Sequence, residues 1–182
     1  MTFFYSFLRL IVRTALQCYF KKVKVEGLEN LPKDAPFIIA PNHQNALIDP
    51  LIPACFLPIP IHYLTRSDVF TKWTNPLLKA VNMMPIYRIR DGYAKLSQND
   101  AVFEACKDLF HANQAVLIFP EGNHGEHYYL RPLTKGISRL AIQSQQNLDK
   151  ELRILPIGLN YFSHQEPRST VIMVVGKPIE AK

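Results

Sequence analysis

The sequence predicts a single α/β domain, with a largely parallel central sheet flanked by helices and an N-terminal amphipathic helix. Three observations predict it. Short apolar runs with β-branched character, such as PFIIAP, AVLIF and TVIMVVG, alternate along the chain with longer segments of helical period. Strands that are apolar throughout belong to sheets covered on both faces, and the intervening helices supply the crossovers that parallel pairing needs. The 182 residues, 48% hydrophobic and 20% charged, suit one globular core and are too few for two ordinary domains. No repeat, low-complexity tract or internal linker divides the chain, so residues 1–22 are read as a membrane-docking helix and 23–182 as the domain.

The opening segment, MTFFYSFLRLIVRTALQCYFKK, places Thr2, Ser6, Arg9, Arg13 and Gln17 on one narrow polar stripe of a helix. Phe4, Phe7, Leu8, Ile11, Val12, Ala15 and Tyr19 cover most of the remainder. A secretory signal keeps its charge ahead of an uninterrupted apolar stretch, whereas two arginines interrupt this one. A membrane span would carry Arg9 and Arg13 near its middle at about 2.5–3.5 kcal/mol each. An in-plane interfacial helix fits better, with Lys21, Lys22 and Lys24 beside anionic headgroups. The competing expectation is a helix packed on its own domain.

Past Lys22, KVKVEGL has period-two character and PFIIAP is a short buried strand. DPLIPACFL forms a short helix with Pro50 in its first turn, and IHYLT is a strand. SDVFTKWTNPLLKAVNMM makes one or two helical pieces, broken before Pro76, and leads into the strand PIYRI. Tyr93 to Ala112 is the longest helical pattern. AVLIF is a strand, Gly136 to Gln146 a helix, and ELRILPIGLNY and TVIMVVG are strands.

The net charge of +6 points to an anionic partner: nucleic acid, a phosphorylated small molecule or an acidic bilayer. Nucleic acid fits poorly, because the basic residues are dispersed and form no stripe interleaved with aromatics. Cys18, Cys55 and Cys106 are odd in number and set among apolar neighbours, which reads as reduced filler in a cytosolic compartment.

Ligands of parallel sheets collect at the carboxyl ends of strands. Three polar groups fall there: His43 to Asp49 after FIIA, Arg88 and Arg90 after PIY, and Glu121 to Arg131 after AVLIF. A neutral histidine can take a proton from a hydroxyl when a carboxylate holds its other ring nitrogen. PNHQNALIDP offers no serine or cysteine nucleophile, so direct attack by a substrate hydroxyl is the simpler scheme. The plainer alternative makes His43 a turn cap and Asp49 the N-cap of the next helix. Glu121, His124, Glu126 and His127 admit a metal site as a lesser option. Arg88, Arg90, Arg131 and Lys135 suit an anion, since guanidinium forks match phosphate, although surface salt bridging accounts for such residues equally well.

Several of these segments together resemble the glycerolipid acyltransferases, the 1-acylglycerol-3-phosphate and glycerol-3-phosphate O-acyltransferase superfamily. PNHQNALIDP is similar to the first block of that family, PIYR (Pro85 to Arg88) to the second, FPEG (Phe119 to Gly122) and LTKG (Leu133 to Gly136) to the third, and ILPIGLNY to the fourth. The resemblance covers roughly residues 36–178. It implies an acyltransferase domain at 23–182 that moves a fatty acyl group from a coenzyme A or acyl-carrier-protein thioester to a glycerol-phosphate or lysophosphatidate hydroxyl, on the cytoplasmic face of a membrane. It assigns His43 as general base and Asp49 as its orienting partner. Asn42, Arg88, Glu121, Gly122, Arg131 and Lys135 form the expected substrate-binding set, with Pro156 flanking the channel. It implies no metal, and no cofactor beyond the thioester cosubstrate.

Two departures stand out. Five residues separate His43 from Asp49, where the family commonly has four; this matches a subgroup related to fungal glycerol-3-phosphate acyltransferases. The third block usually continues Glu-Gly-Thr-Arg-Ser, but here Glu121-Gly122 is followed by Asn123-His124-Gly125. Arg131 or a protonated His124 is the expected substitute for the absent arginine, and an amino-acid-type lipid becomes an alternative acceptor. Backbone N–H groups near Gly122 or in the fourth block are candidate oxyanion donors. A lipid-binding module without catalysis and a metal-dependent phosphoesterase remain as more distant alternatives.

Overall fold

The computed structural model describes residues 3–88, 94, 97–125, 128–146, 148–163 and 166–181. Helix α1 (Phe3–Tyr19) leads into β1 (Lys22–Glu26), β2 (Phe37–Pro41), α2 (Ile48–Phe56) and β3 (Ile61–Arg66). Then come α3 (Asn75–Ala80), β4 (Met83–Ile86), α4 (Gln98–His111), β5 (Ala115–Leu117) and α5 (Lys135–Gln145). The chain closes with β6 (Arg153–Tyr161), β7 (Thr170–Val175) and β8 (Ile179–Glu180).

The strands join one sheet in the order β1-β7-β6-β2-β5-β3-β4, with β8 paired to β6. β6, β2, β5, β3 and β4 run parallel to one another, whereas β7 and β8 pair antiparallel to β6. The sheet is therefore largely parallel, as the alternating pattern predicts. Its two faces show the period-two rule directly. Phe37 and Ile39 of β2 pack under α1 and α2 with Phe20, Ile52 and Leu57. Ile38 between them packs under α4 and α5 with Phe103, Phe110 and Leu140. Cys55 and Cys106 lie in these two cores, one on each side, and all three cysteines are free.

Several expected boundaries move. The two expected helical pieces are a 3₁₀ turn at Ser67–Val69 and α3, and the break between them precedes Pro76, which sits in the first turn of α3 because its missing N–H is one that a helix start leaves unbonded anyway. The fourth strand begins at Met83, before PIYRI, and ends at Ile86. Much of the run expected to open the helix at Tyr93 lies outside the described residues, and α4 is described from Gln98.

Helix α1 differs in orientation from the reading of its polar stripe. Arg9 turns inward and donates to the carbonyl oxygens of Leu57 and Cys55 at the end of α2, and the Arg13 guanidinium lies 5.3 Å over the Phe56 ring. The last carbonyls of a helix have no intrahelical donors and carry the negative end of its dipole, so a cation belongs there. Ser6, Arg13 and Gln17 of the polar stripe stay exposed, and beside them lie exposed apolar side chains: Phe3 is 88% exposed, and Phe4, Phe7, Leu10 and Ile11 are also exposed. Among the described residues no helix is long and apolar enough to cross a membrane.

Candidate active site

β2 ends at Pro41, and the chain turns at once into the loop that carries His43. Asn42 fastens this turn: its carboxamide donates to the Leu159 carbonyl at 2.9 Å and accepts the Leu159 N–H at 2.6 Å. Both ends of the amide are thus engaged with β6, which makes Asn42 a fastener of the loop. Two residues past His43, the Asn45 side-chain oxygen accepts the N–H groups of Leu47 and Ile48, each at 3.0 Å, and so caps the start of α2.

That division of labour frees Asp49. It stands in the first turn of α2, not at its N-cap, and is wholly buried. Its Oδ2 lies 2.9 Å from His43 Nδ1 and also accepts the N–H groups of Gln44 (2.6 Å) and Asn45 (2.7 Å). Its Oδ1 accepts the Tyr161 hydroxyl at 2.7 Å. Four donors around one buried carboxylate satisfy the rule that a buried charge must be paired and hydrogen-bonded. The five-residue spacing is accommodated because the added length forms a loop whose amides fold around the carboxylate.

His43 is held from several sides. Its ring stacks on Phe119 with centroids 3.8 Å apart, and the His124 ring stands edge-on at 5.6 Å. Its backbone N–H donates to Glu121 Oε1 at 2.8 Å. Its carbonyl oxygen accepts from Gly125 N at 3.3 Å and from Arg131 Nη2 at 3.4 Å. The His43 side chain retains 12% exposure, so the ring is fixed yet reachable.

The loop after β5 carries the counterpart. Glu121 is buried, and its other oxygen, Oε2, accepts Arg131 Nε at 2.7 Å. Gly122 adopts φ +68°, where a side chain is strained, and a Cβ there would meet Thr134 Cγ2 at 3.1 Å. Thr134 in turn bonds the Pro120 carbonyl through both its N–H and its hydroxyl, at 2.8 and 2.9 Å. FPEG and LTKG are in this way one packed unit, which seats exposed Lys135 at the start of α5.

Three of the expected site groups have close neighbours in the structure. The Gly122 N–H itself donates to Phe119 O at 3.0 Å. Arg131 is engaged by Glu121 and the His43 carbonyl and so also clamps the loop. Burial, with His43, Arg66 and Arg131 nearby, lowers His124 below the ordinary histidine value, which disfavours its charged form. Arg90, Glu126 and His127 lie outside the described residues. Among the described residues no group of three or more His, Cys, Asp or Glu side chains is placed to hold a metal ion. The carboxylates of Asp49 and Glu121 both face donors.

Two residues escaped the sequence reading. Arg66 ends β3 beside β4, where it pairs with Asp68, which also lies 3.8 Å from Arg88. The strand-end argument that singled out Arg88 applies equally to Arg66. Tyr161 is 112 residues from Asp49, and only the pairing of β6 with β2 brings them together.

This arrangement is a buried His–Asp pair at the carboxyl end of a parallel sheet, with arginines on neighbouring strand ends. Residues 22–160 match the Acyltransferase family, and the chain belongs to it. The 1-acyl-sn-glycerol-3-phosphate acyltransferase of Bacillus subtilis is 31% identical over 101 residues, 55% of this chain and 47% of that protein. Glycerol-3-phosphate O-acyltransferase 1 of Saccharomyces cerevisiae is 33% identical over 88 residues, 48% of this chain and 12% of that one. The mouse 1-acyl-sn-glycerol-3-phosphate acyltransferase alpha is 25% identical over 173 residues, 90% of this chain and 55% of that protein. The chain thus spans about half or less of the length of these relatives. In fold it is similar to the crystal structure of the 1-acyl-sn-glycerophosphate (LPA) acyltransferase PlsC from Thermotoga maritima, with a TM-score of 0.70 at 19% identity over 97% of this chain and 69% of that one.

Proposed function

We propose that this protein transfers a fatty acyl group from a coenzyme A or acyl-carrier-protein thioester to the hydroxyl of glycerol phosphate or lysophosphatidate, at the cytoplasmic face of a membrane. The observation that carries this reading is the 2.9 Å contact between His43 Nδ1 and the buried Asp49 carboxylate, which leaves Nε2 as the reactive nitrogen. His43 takes the acceptor's proton through Nε2 as the hydroxyl oxygen attacks the thioester carbonyl. Asp49 stabilises the imidazolium without accepting its proton. The new C–O bond forms, the C–S bond breaks, and the proton passes to the departing thiolate. General-base assistance of this kind contributes roughly 10²- to 10⁴-fold.

The acceptor phosphate is assigned to Arg88 and Arg66, with exposed Lys135 as a further cation. Their guanidiniums share Asp68 at the ends of adjacent strands, and a phosphate dianion suits such a fork better than one carboxylate does. An apolar cavity of about 140 Å³ runs along α2 from Pro50, beside Asp49, under Leu8 and Val12 of α1, to Met83, and suits part of an acyl chain. The exposed Phe3, Phe4, Phe7, Leu10 and Ile11 suit the acyl boundary of a bilayer, with Lys21 and Lys22 at headgroup level.

The test incubates the protein with acyl-CoA and acyl-carrier-protein thioesters and a panel of glycerol phosphate, lysophosphatidate and amino-acid-type lipid acceptors, with products read by mass spectrometry. A phosphorylated glycerol acceptor should be acylated, and His43→Ala should abolish transfer while vesicle binding persists. A His43→Ala variant with undiminished transfer would sink the general-base assignment.

A further inference from the structure

We propose that Tyr161 is a positioning residue for the His43–Asp49 pair, fixing the Oδ1 end of the carboxylate whose Oδ2 faces the imidazole and moderating its basicity. The inference rests on the general-base reading of His43. Its starting point is an asymmetry at Asp49. Oδ2 gathers three donors, His43 Nδ1 and the N–H groups of Gln44 and Asn45, all from the loop next to it in sequence. Oδ1 has a single hydrogen-bond partner among the described residues, the Tyr161 hydroxyl at 2.7 Å. The loop donors hold Oδ2, and the Tyr161 bond fixes the other oxygen from the sheet, so the carboxylate plane is set at both ends.

Tyr161 is well placed for this task. It is 5% exposed, and its ring lies 6.1 Å from that of Phe20. Its backbone is the last residue of β6 and pairs with Val171 of β7. Tyr161 is therefore fixed by the sheet, while Asp49 is fixed by α2, and the hydroxyl–carboxylate bond ties the two layers at the reacting centre. Burial and the adjacent Asp49 charge push the phenol far above its ordinary value, so it remains a donor at every working pH.

The groups that face His43 are few. Asp49 approaches from α2, and Glu121, His124 and Arg131 from the loop after β5; Glu121 and Arg131 touch its backbone N–H and carbonyl. Tyr161→Phe leaves all of these in place and removes one donor from Oδ1. The carboxylate then concentrates more charge on Oδ2 and favours the imidazolium. Since transfer needs the neutral ring, the acid limb of the kcat profile moves to higher pH. Incorporating 3-fluorotyrosine at position 161 strengthens the donor at nearly constant shape and moves that limb to lower pH.

The experiment measures kcat and KM against pH for wild type, Tyr161→Phe, the 3-fluorotyrosine variant and His43→Ala, and follows the His43 ring protons by NMR. The expected result is a kcat loss of about ten-fold or more in Tyr161→Phe with acceptor KM unchanged. The acid limb and the His43 NMR midpoint should move in opposite directions in the two tyrosine variants. Should Tyr161→Phe fail to fold, the fluorotyrosine shift still decides. An inactive His43→Ala beside a Tyr161→Phe or fluorotyrosine protein with wild-type kcat and limb would overturn the role of Tyr161 alone. A fully active His43→Ala would overturn the general-base reading and this inference together.

Discussion

Replacing Asp49 by asparagine removes one charge from a site that is otherwise preserved in shape. The amide oxygen can take the place of Oδ2 and keep the contacts to His43 Nδ1, Gln44 N and Asn45 N, while the amide nitrogen faces a Tyr161 hydroxyl that can rotate to accept. Lost is the attraction between a carboxylate and the imidazolium that forms as the hydroxyl is deprotonated. With the charge centres about 4 Å apart and an effective dielectric near 20, that attraction is about 4 kcal/mol. At 1.36 kcal/mol per decade this is roughly a 10³-fold loss in kcat, and the residual amide dipole recovers some of it, so a loss of about 10²- to 10³-fold is expected. Stability should change far less. Charge-assisted hydrogen bonds become neutral ones, a difference of about 1–3 kcal/mol, or roughly 3–10 °C in melting temperature for a chain of this size. The assay is thiol release from an acyl thioester with glycerol phosphate or lysophosphatidate as acceptor, beside a thermal melt followed by circular dichroism. A variant that melts normally and keeps more than about a tenth of wild-type kcat would refute the reasoning, since the charge would then be dispensable.

Other outcomes follow from the same structure. Changing Phe3, Phe7 and Leu10 together to serine should leave the melting temperature within about 2 °C, because all three are exposed, yet lower partition onto anionic vesicles by at least about 100-fold in a sedimentation assay. Unchanged vesicle binding would remove α1 as the docking surface. Burial holds His62 and His124 below their ordinary value of 6.5. The unfolded chain then takes up protons before the folded one does, so stability falls as pH drops from about 7.5 through 6.5 towards the lowered folded values. Denaturant midpoints across that range should decline, with a shallower slope in His62→Gln; a midpoint that rises on acidification would contradict the burial argument.

Much of the fold was legible because it is written in local periodicity. PFIIAP and AVLIF are continuous apolar runs, and their burial on both faces, with Ile38 to one side and Phe37 and Ile39 to the other, is what such runs predict. β8 was not legible: two residues, Ile179 and Glu180, carry no period, and their pairing depends on β6 lying alongside. Helix α1 was legible as a helix but not in its rotation. Periodicity groups Arg9 with the polar residues, and only the proximity of the open carbonyls of α2 turns it inward. In the site, the approach of His43 and Asp49 could be anticipated because only six positions separate them, across the loop that leads into α2. The functions of Glu121 and Arg131 could not, because their partners are the backbone groups of His43, which have no signature in sequence.

The amino-acid sequence by itself determined the alternation of helix and strand, the apolar faces, and the residue types gathered at the strand ends, since each of these follows from chemistry within a few neighbours. The tertiary structure alone decided which carboxylate oxygen faces which donor, that Arg131 clamps a loop, and that Tyr161 reaches Asp49 across 112 residues. Those contacts depend on strand order, and strand order is set by how the whole chain covers its sheet.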